Sequence, residues 1–284
     1  MLVVAASRFW GTCKEEYTCL ESFLSDLLPC VDVVIVLIRT DLDKTDSLSL
    51  LGKKYASLLG HKLVLLSTTS QYYTLCQGLN YLLKTAIKWI EENHGNEQLP
   101  LILFVSVEIR PSRVIKYLVN VMDEDTLCAG CAIPQEHMTI QSIRGLEWLE
   151  QSICADEHVQ PICSVWLSAM ACPWNTCCVW NINYLQRTGF LMVAETMTPP
   201  GMEEVAVIVT QQKLFGIARR QVKLVYLPSP LAPRRHMQGY SCDRLRCHEK
   251  KMERKQRRTE QIVELLGNFK AATCLYSALS ASIR

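Results

Sequence analysis

The stretch VDVVIVLIRTDLDKTDSLSLLGKKYASLLGHKLVLLS, residues 31–67, decides the fold class of this chain. It begins with a strand-length run, 31–38, that is apolar at almost every position, as in a parallel strand buried on both faces. A polar turn follows, and then a predicted helix over 47–58 and a second apolar strand over 61–67. Because a strand, a helix and a further strand form one right-handed crossover, this stretch predicts a parallel sheet flanked by helices.

The same alternation continues on both sides of this unit. Before it, the pattern predicts a strand over 1–6 and a helix over 15–29, where large apolar residues recur at helical spacing. After it, the pattern predicts a helix over 73–93, a strand over 99–108, a helix over 112–122 and a strand over 125–133. The first half is therefore of the α/β class, and ligand sites in such sheets lie at the carboxyl ends of the strands.

The second half is less regular. A short strand and a helix are predicted within 174–190, with Asn181 as the helix N-cap and Gly189 just after its end. An amphipathic helix is expected from Glu203 onward, followed by a strand over 221–227. A proline-rich link, 228–235, then precedes a highly charged helix over about 243–267. We accordingly expect one domain over 1–227 and a basic helical C-terminal extension over 228–284.

Composition excludes several classes of protein. The chain has 284 residues, 49% of them hydrophobic, and a formal net charge of +2, which favours a folded chain with a sizeable core. Its apolar runs are too short to span a membrane, so a soluble, cytoplasmic protein is expected. Most of the 14 cysteines lie in apolar segments and are expected to be reduced thiols with no disulfide-linked partner. No GxGxxG, P-loop or GxSxG sequence is present, which argues against dinucleotide, ATPase and serine-hydrolase chemistry.

Two adjacent carboxylates are the first candidates for chemistry. Glu203 and Glu204 follow a Pro-Pro-Gly turn in TPPGMEEVAVIVTQQKLFG, residues 198–216. Acidic residues in a first helical turn are favoured by the helix dipole by about 0.3–1 kcal/mol, so the pair can be explained without function. A pair of carboxylates facing a cleft would equally supply a general base. Both explanations are open at this point.

The order of the parts resembles a known fold. The segments that carry the resemblance are SVE at the fourth strand end (106–108), PWNTCCVWNINYLQRTGF (173–190), GMEEVA (201–206) and RCHEKKMERKQRR (246–258). In this order they are similar to the Rossmann-like GT-A fold of nucleotide-sugar glycosyltransferases of the family-2 type, and more closely to a poorly characterised glycosyltransferase-like branch. The resemblance implies an α/β fold with a mostly parallel central sheet and a C-terminal basic helix.

The resemblance also implies an activity and its catalytic residues. Such a protein would transfer a sugar, as a hexosyltransferase does, from a nucleotide diphosphate sugar to an acceptor, here unknown. Glu204 stands where the family has the aspartate of its Glu-Asp pair and is expected to be the base, with Glu203 orienting it or binding the acceptor. Trp174 and Asn175 are expected on the acceptor side, by ring stacking and hydrogen bonding. The alternative is that Trp174 belongs to the core.

The expected metal site departs from the family pattern. The family has Asp-x-Asp where this chain has Ser106-Val107-Glu108, so only one carboxylate remains for Mn²⁺ or Mg²⁺. Glu108 could still bind the metal together with nucleotide phosphates and water. Alternatively, Glu108 pairs with Arg110 and the site works without a metal.

The donor side is expected to combine residues from both ends of the chain. Ser7 and Arg8 at the first strand end, with Asp41 after the second, would bind base and ribose, and Arg110 belongs to the same donor side. Asp43 and Asp46 follow in the same acidic run, where helix capping explains at least one residue. His248 and Lys250 or Lys251 of the basic helix would close over the diphosphate.

Two further functions remain as alternatives. The chain could be a catalytically degraded relative that binds a nucleotide sugar without turning it over. It could also bind an anionic surface or nucleic acid through 244–258, which carries eight Lys/Arg against two Glu, a net of +6. That stretch has no aromatic residue for base stacking, which disfavours nucleic acid.

Overall fold

The computed structural model describes residues 1–10, 14–39, 47–69, 74–95, 99–133, 137, 159–196, 201–227, 231–233 and 242–278, with side chains except at 14–15, 47–48 and 242–253. In this part of the chain no helix is long and apolar enough to cross a membrane. The helices and strands, in chain order, are β1 Leu2–Phe9, α1 Lys14–Leu27, β2 Val33–Arg39, α2 Ser47–Lys54, β3 Leu63–Thr68, α3 Leu75–Asn93, β4 Pro100–Val105, α4 Ser112–Asn120, β5 Thr126–Cys131, β6 Gln160–Trp166, β7 Cys177–Asn181, α5 Ile182–Leu185, α6 Glu203–Phe215, β8 Gln221–Tyr226, α7 Cys242–Leu265 and β9 Ala272–Ser277.

The described strands form one mixed sheet in the order β3-β2-β1-β4-β7-β5-β8-β9-β6. β1 pairs in parallel with β2 and β4, and β2 with β3. β7 runs antiparallel between β4 and β5, and β6 runs antiparallel at the edge beside β9. All other pairs are parallel. The predicted α/β fold with a mostly parallel sheet is therefore confirmed.

Helices cover both faces of the sheet, and each strand divides its side chains between two cores. Leu2, Val4 and Ala6 of β1 point to the core that contains buried residues of α3, α6 and α7. Val3 and Ala5 point to the opposite core, which is closed by α1 and α4. This alternation explains why the central strands are apolar at successive positions.

Parts of the C-terminal segment pack into the sheet and its core. β9 lies between β8 and β6 in the sheet, and Ile262 of α7 is buried in the core that contains α6. The expected boundary at 227/228 is therefore not a boundary of the sheet. β6 and β9 were not predicted from the sequence, and β4 ends at Val105 rather than at 108 because the Ile109 N–H turns back to the Ser106 carbonyl.

Helix α6 also differs from expectation. An amphipathic helix was predicted, but residues 203–212, apart from Thr210, are all buried. The helix is enclosed between the sheet and α7, and a helix apolar on all sides is typical of such a position. Its first turn, which carries Glu203 and Glu204, is therefore inside the protein.

Candidate active site

The candidate site is built around the first turn of α6. Glu203 and Glu204 are 7% and 5% exposed. The two residues before them have positive φ angles, 150° at Gly201 and 64° at Met202. A left-handed backbone is uncommon for methionine, and such positions cluster at functional sites. The turn that aims both carboxylates is thus held in an unusual conformation by the surrounding packing.

Glu204 is the most perturbed carboxyl group of the site. Its Oε1 accepts a hydrogen bond of 2.6 Å from the backbone N–H of Asn175. Burial, and then the neighbouring charge of Glu203, raise the pKa of Glu204 to about 8. The N–H of Asn175, the backbone N–H of Glu204 itself and the charge of Lys255 oppose this shift. The result is a carboxyl group that can exchange a proton near neutral pH.

Asn175 joins the two carboxylates. In addition to its backbone bond to Glu204, its Nδ2 donates to Oε1 of Glu203 at 3.4 Å. Its Oδ1 accepts from the indole Nε1 of Trp180 at 2.9 Å. The amide predicted to hydrogen-bond an acceptor is therefore already engaged at both ends, and its contacts are those of a residue that positions the carboxylates.

Trp174 belongs to the core, as the alternative interpretation had it. The side chain is 3% exposed, and its indole Nε1 donates to the Ala169 carbonyl at 3.1 Å. The ring packs against His137 with 4.2 Å between the centroids. A ring so enclosed has no face open for stacking on an acceptor sugar, so the expected acceptor contact is not supported.

Arg8, predicted to flank the nucleotide base, lies instead beside the carboxylate pair. Its Nη1 donates to the Leu75 carbonyl at the start of α3, at 3.3 Å. Its aliphatic part passes close to Gly78, where a Cβ would lie 3.4 Å from Cδ. Burial lowers the pKa of Arg8, and the negative charges of Glu203 and Glu204 oppose that effect.

Two further residues of this cluster were not found from the sequence. The Glu195 carboxylate accepts a hydrogen bond from the backbone N–H of Cys76, in the first turn of α3. Burial and the charges of Glu203 and Glu195 raise the pKa of the Cys76 thiol, so it is a neutral group. Both residues are distant in sequence from the motifs that suggested function, and no local pattern marks them.

Two cations of α7 approach the same turn. Lys255 is 7% exposed, with its Nζ 2.7 Å from the centroid of the Trp174 ring, and its charge lowers the pKa of Glu204. Arg258 is 4% exposed, and its Nη1 lies 3.1 Å from where a Cβ on Gly201 would be. The sequence singled out the basic stretch but not these two residues.

The segment after β4 lies at the same edge of the sheet. The Ser106 N–H donates to the Thr176 carbonyl at 3.0 Å, next to Asn175. Arg110, expected on the donor side or paired with Glu108, donates to the Val107 and Ile109 carbonyls at 2.8 Å and 3.3 Å. A second nitrogen of Arg110 contacts Cys19 of α1. Through these bonds Arg110 stabilises the turn after β4 and links it to α1.

The turn after β4 offers few ligands for the metal expected at Glu108. Magnesium and manganese prefer several oxygen ligands, and the turn after β4 offers one carboxylate. Across the described ranges no three His, Cys, Asp or Glu side chains are grouped to hold a metal ion. The described residues therefore do not fit a metal held by a carboxylate pair.

The remaining expected residues are placed as follows. Ser7 is buried, and its hydroxyl donates to the Val105 carbonyl at 2.7 Å, so it ties β1 to β4 rather than reaching a nucleotide. Asp41, Asp43 and Asp46 lie outside the described residues. His248, Lys250 and Lys251 lie on the described backbone of α7, but their side chains fall outside the description. Cys128 and Cys131, two of the cysteines expected to be reduced thiols, are buried and do not form a disulfide.

No family model and no curated protein sequence matches the chain. Several solved structures, in contrast, resemble the fold of this chain. The mannosyltransferase PcManGT from Pyrobaculum calidifontis, in complex with GDP-Man and Mn²⁺, superposes with a TM-score of 0.54 at 10% identity, over 89% of this chain. This chain spans only 62% of the length of that enzyme. Glucosyl-3-phosphoglycerate synthase from Mycobacterium tuberculosis, with Mn²⁺, UDP and phosphoglyceric acid, gives a TM-score of 0.50 at 12% identity, over 94% of this chain and 78% of the other.

These likenesses extend over nearly the whole chain and confirm the fold that the order of sequence segments implied. At such low identity they concern the path of the backbone and not the side chains of the site. The chain has the GT-A, Rossmann-like fold of nucleotide-sugar glycosyltransferases.

Proposed function

We propose that the protein is a glycosyltransferase that moves a sugar from a nucleotide diphosphate sugar to an acceptor hydroxyl, with Glu204 as the general base. The observation that carries the proposal is a buried carboxyl with a pKa raised to about 8, in the first turn of α6. A general base is most effective when its pKa lies near the working pH. A strongly perturbed carboxyl beside several charged groups is also a mark of active sites in general.

The proposed chemistry uses the carboxylate pair asymmetrically. Glu204 takes the proton of the acceptor hydroxyl. The hydroxyl oxygen forms a bond to the anomeric carbon of the sugar, and the bond from that carbon to the nucleoside diphosphate breaks. The configuration at this carbon inverts. Asn175 keeps Glu204 in place through its backbone N–H, at 2.6 Å. Arg8 offsets the negative charge of the pair, since the charges of Glu203 and Glu204 both oppose the lowering of the pKa of Arg8 by burial.

A non-catalytic relative that binds a nucleotide sugar remains the second candidate. The specific observation in its favour is the single carboxylate, Glu108, where the fold family has two. Both candidates require donor binding, and only the first requires turnover.

The test has two stages. Thermal denaturation is first followed with UDP-, GDP-, ADP- and CDP-sugars, since a ligand at a hundred times its dissociation constant stabilises the native state by about 2.7 kcal/mol. Release of nucleoside diphosphate is then measured with the donor that stabilises best and a panel of hydroxyl acceptors, for the wild type, Glu204→Gln and the exposed control Glu264→Gln.

Turnover by the wild type and Glu264→Gln that is lost in Glu204→Gln supports the enzyme. Stabilisation without turnover in any combination supports the binding protein instead. If no nucleotide sugar stabilises the fold, both candidates are wrong.

A further inference from the structure

Helix α7 brings two cations to the turn that carries the carboxylate pair. Lys255 and Arg258 are three residues apart, so they are neighbours on one face of the helix. The same face continues with the buried residues Thr259 and Ile262, which fixes the helix against the core. Among the four basic residues of 244–258 whose side chains are described, two are thus turned inward by packing, although a basic helix normally exposes its charges to water.

Among the described residues, the guanidinium group of Arg258 is buried without its full set of hydrogen bonds. It is 4% exposed, and within the described part of the structure its Nη2 has no hydrogen-bond partner. Buried charges are normally paired, because removing an ion from water without a partner is costly. The exposed Arg254, four residues earlier, adds positive charge rather than an anion and, after burial, further lowers the pKa of Arg258.

A glycine allows this guanidinium to approach the turn before α6 closely. A Cβ at Gly201 would lie 3.1 Å from Nη1 of Arg258, so a side chain there would crowd the group. Gly201 leads into the first turn of α6, a helix of 13 residues whose N-terminal N–H groups and partial positive charge also favour an anion. A buried guanidinium with one unpartnered nitrogen and a helix N-terminus therefore meet at one place.

A nucleotide-sugar donor carries a matching anion, its diphosphate. The described residues offer few ligands for the divalent metal that would otherwise neutralise this charge. The turn after β4 offers one carboxylate for a cation, and the described residues contain no metal-binding cluster. Resting on the proposed function, we propose that Lys255 and Arg258 bind the diphosphate of the donor directly, in the role that a divalent metal has in the Asp-x-Asp pattern. Arginine suits this role because its planar fork binds phosphate oxygens in pairs.

The experiment measures binding of UDP, GDP, ADP and CDP by calorimetry, once with EDTA and once with Mn²⁺. The wild type is compared with Arg258→Met, Lys255→Met and the control Arg257→Met, which removes an exposed charge from the same helix. For the nucleotide that binds best, we expect affinity in EDTA to stay within threefold of that in Mn²⁺. Arg258→Met and Lys255→Met should weaken it at least tenfold, and Arg257→Met less than threefold.

A second measurement separates binding from folding. Because Arg258→Met removes a buried charge whose Nη2 has no hydrogen-bond partner among the described residues, the ligand-free variant should melt at the wild-type temperature or above it. A lower melting temperature would overturn the inference, since it would show that the guanidinium has an internal partner in the folded protein.

The remaining outcomes distinguish this inference from the function on which it rests. Binding that requires Mn²⁺ and is unchanged in Arg258→Met would overturn the diphosphate site and leave donor binding intact. If none of the four nucleotides binds under either condition, the proposed function is wrong and the diphosphate site with it.

Discussion

At the scale of single residues, Glu204 links the chemistry of the site to the stability of the fold. Its pKa is 4.5 as an ordinary side chain and about 8 in the folded protein, mainly through burial. Between these values the native state holds a proton that the unfolded chain releases, so stability falls as the pH rises through this window. The contribution of the protonated group is complete below about 4.5 and lost above about 8.

Glu204→Gln should remove this dependence, because the amide mimics the protonated acid and its carbonyl can accept the N–H of Asn175. At pH 9 we expect the variant to exceed the wild type in free energy of unfolding by at least ~1.4 kcal/mol, which corresponds to one pKa unit. At pH 4 the two should agree. Urea unfolding at pH 4, 7 and 9 measures the difference, with Glu264→Gln as the exposed control. If the variant and the wild type differed by the same free energy of unfolding at all three pH values, Glu204 would not titrate in this window.

The same pKa predicts how turnover depends on pH. The base acts only when ionised, so the rate should rise with pH and level off above about 8. At pH 6 roughly one molecule in a hundred has the required charge, which implies a rate about a hundredfold below the plateau. Initial rates of nucleoside diphosphate release between pH 6 and 10, at saturating donor, give the profile. A midpoint near the ordinary pKa of glutamate would rule out Glu204, in its observed environment, as the base.

Among the elements, β5 packs closely against the segment before β7, which carries Asn175. Gly130 of β5 faces Pro173, and a Cβ at position 130 would overlap the proline ring. Gly130→Ala should therefore lower the free energy of unfolding by about 1–3 kcal/mol, as overpacking does. It should also reduce turnover, because the displaced proline precedes Trp174 and Asn175. Chemical denaturation together with the rate assay tests both effects.

Gly52 of α2 provides the matched control. No heavy atom lies within 4 Å of a Cβ added there, and its backbone is helical. Gly52→Ala should leave turnover unchanged and raise stability by roughly 0.5–1 kcal/mol. If Gly130→Ala behaved in the same way, the close packing of β5 against Pro173 would not be what positions the site.

The elements that the sequence predicts well are those whose signal is local. β1, β2 and β4 are buried on both faces, β3 lies at the edge of the sheet, and all four stand out as apolar runs. Helices α1, α3 and α4 begin and end within two residues of expectation. β6 and β9 carry no such signal. β6 contains Pro161 and is partly exposed, and its partner β9 lies more than a hundred residues away. Pairing over that distance, rather than local preference, makes these segments strands.

The candidate site shows the same division. Two carboxylates after a Pro-Pro-Gly turn are visible in the sequence, because helix starts and acidic pairs are local features. Arg8 is visible as a strand-end residue, but its place beside Glu203 and Glu204 depends on the packing of β1 against α3. Lys255 and Arg258 are two of eight basic residues in 244–258, and no local pattern in the sequence marks them as the buried ones.

For the molecule as a whole, the open question is whether the C-terminal segment, whose strand β9 lies within the sheet, unfolds together with 1–227. β9 contributes the fully buried Leu275 to a small core with Leu224 and Tyr226 of β8. Its neighbour β6 is paired, among the described strands, only through β9. If 228–284 were a separable extension, damage to β9 would leave the unfolding of 1–227 unaffected. If the sheet is one cooperative unit, the same damage should shift the entire transition.

Leu275→Ala decides between these two cases. We expect it to lower the free energy of unfolding by about 2–5 kcal/mol, as loss of a buried leucine does, in one transition seen alike by circular dichroism and by tryptophan fluorescence. Leu265→Ala, at a position that is 61% exposed on α7, should change stability by less than ~0.5 kcal/mol. A variant with two transitions, the larger one at the wild-type midpoint, would restore the boundary at 227/228. A single shifted transition would instead show that β9, which follows the helix carrying Lys255 and Arg258, unfolds together with the rest of the sheet.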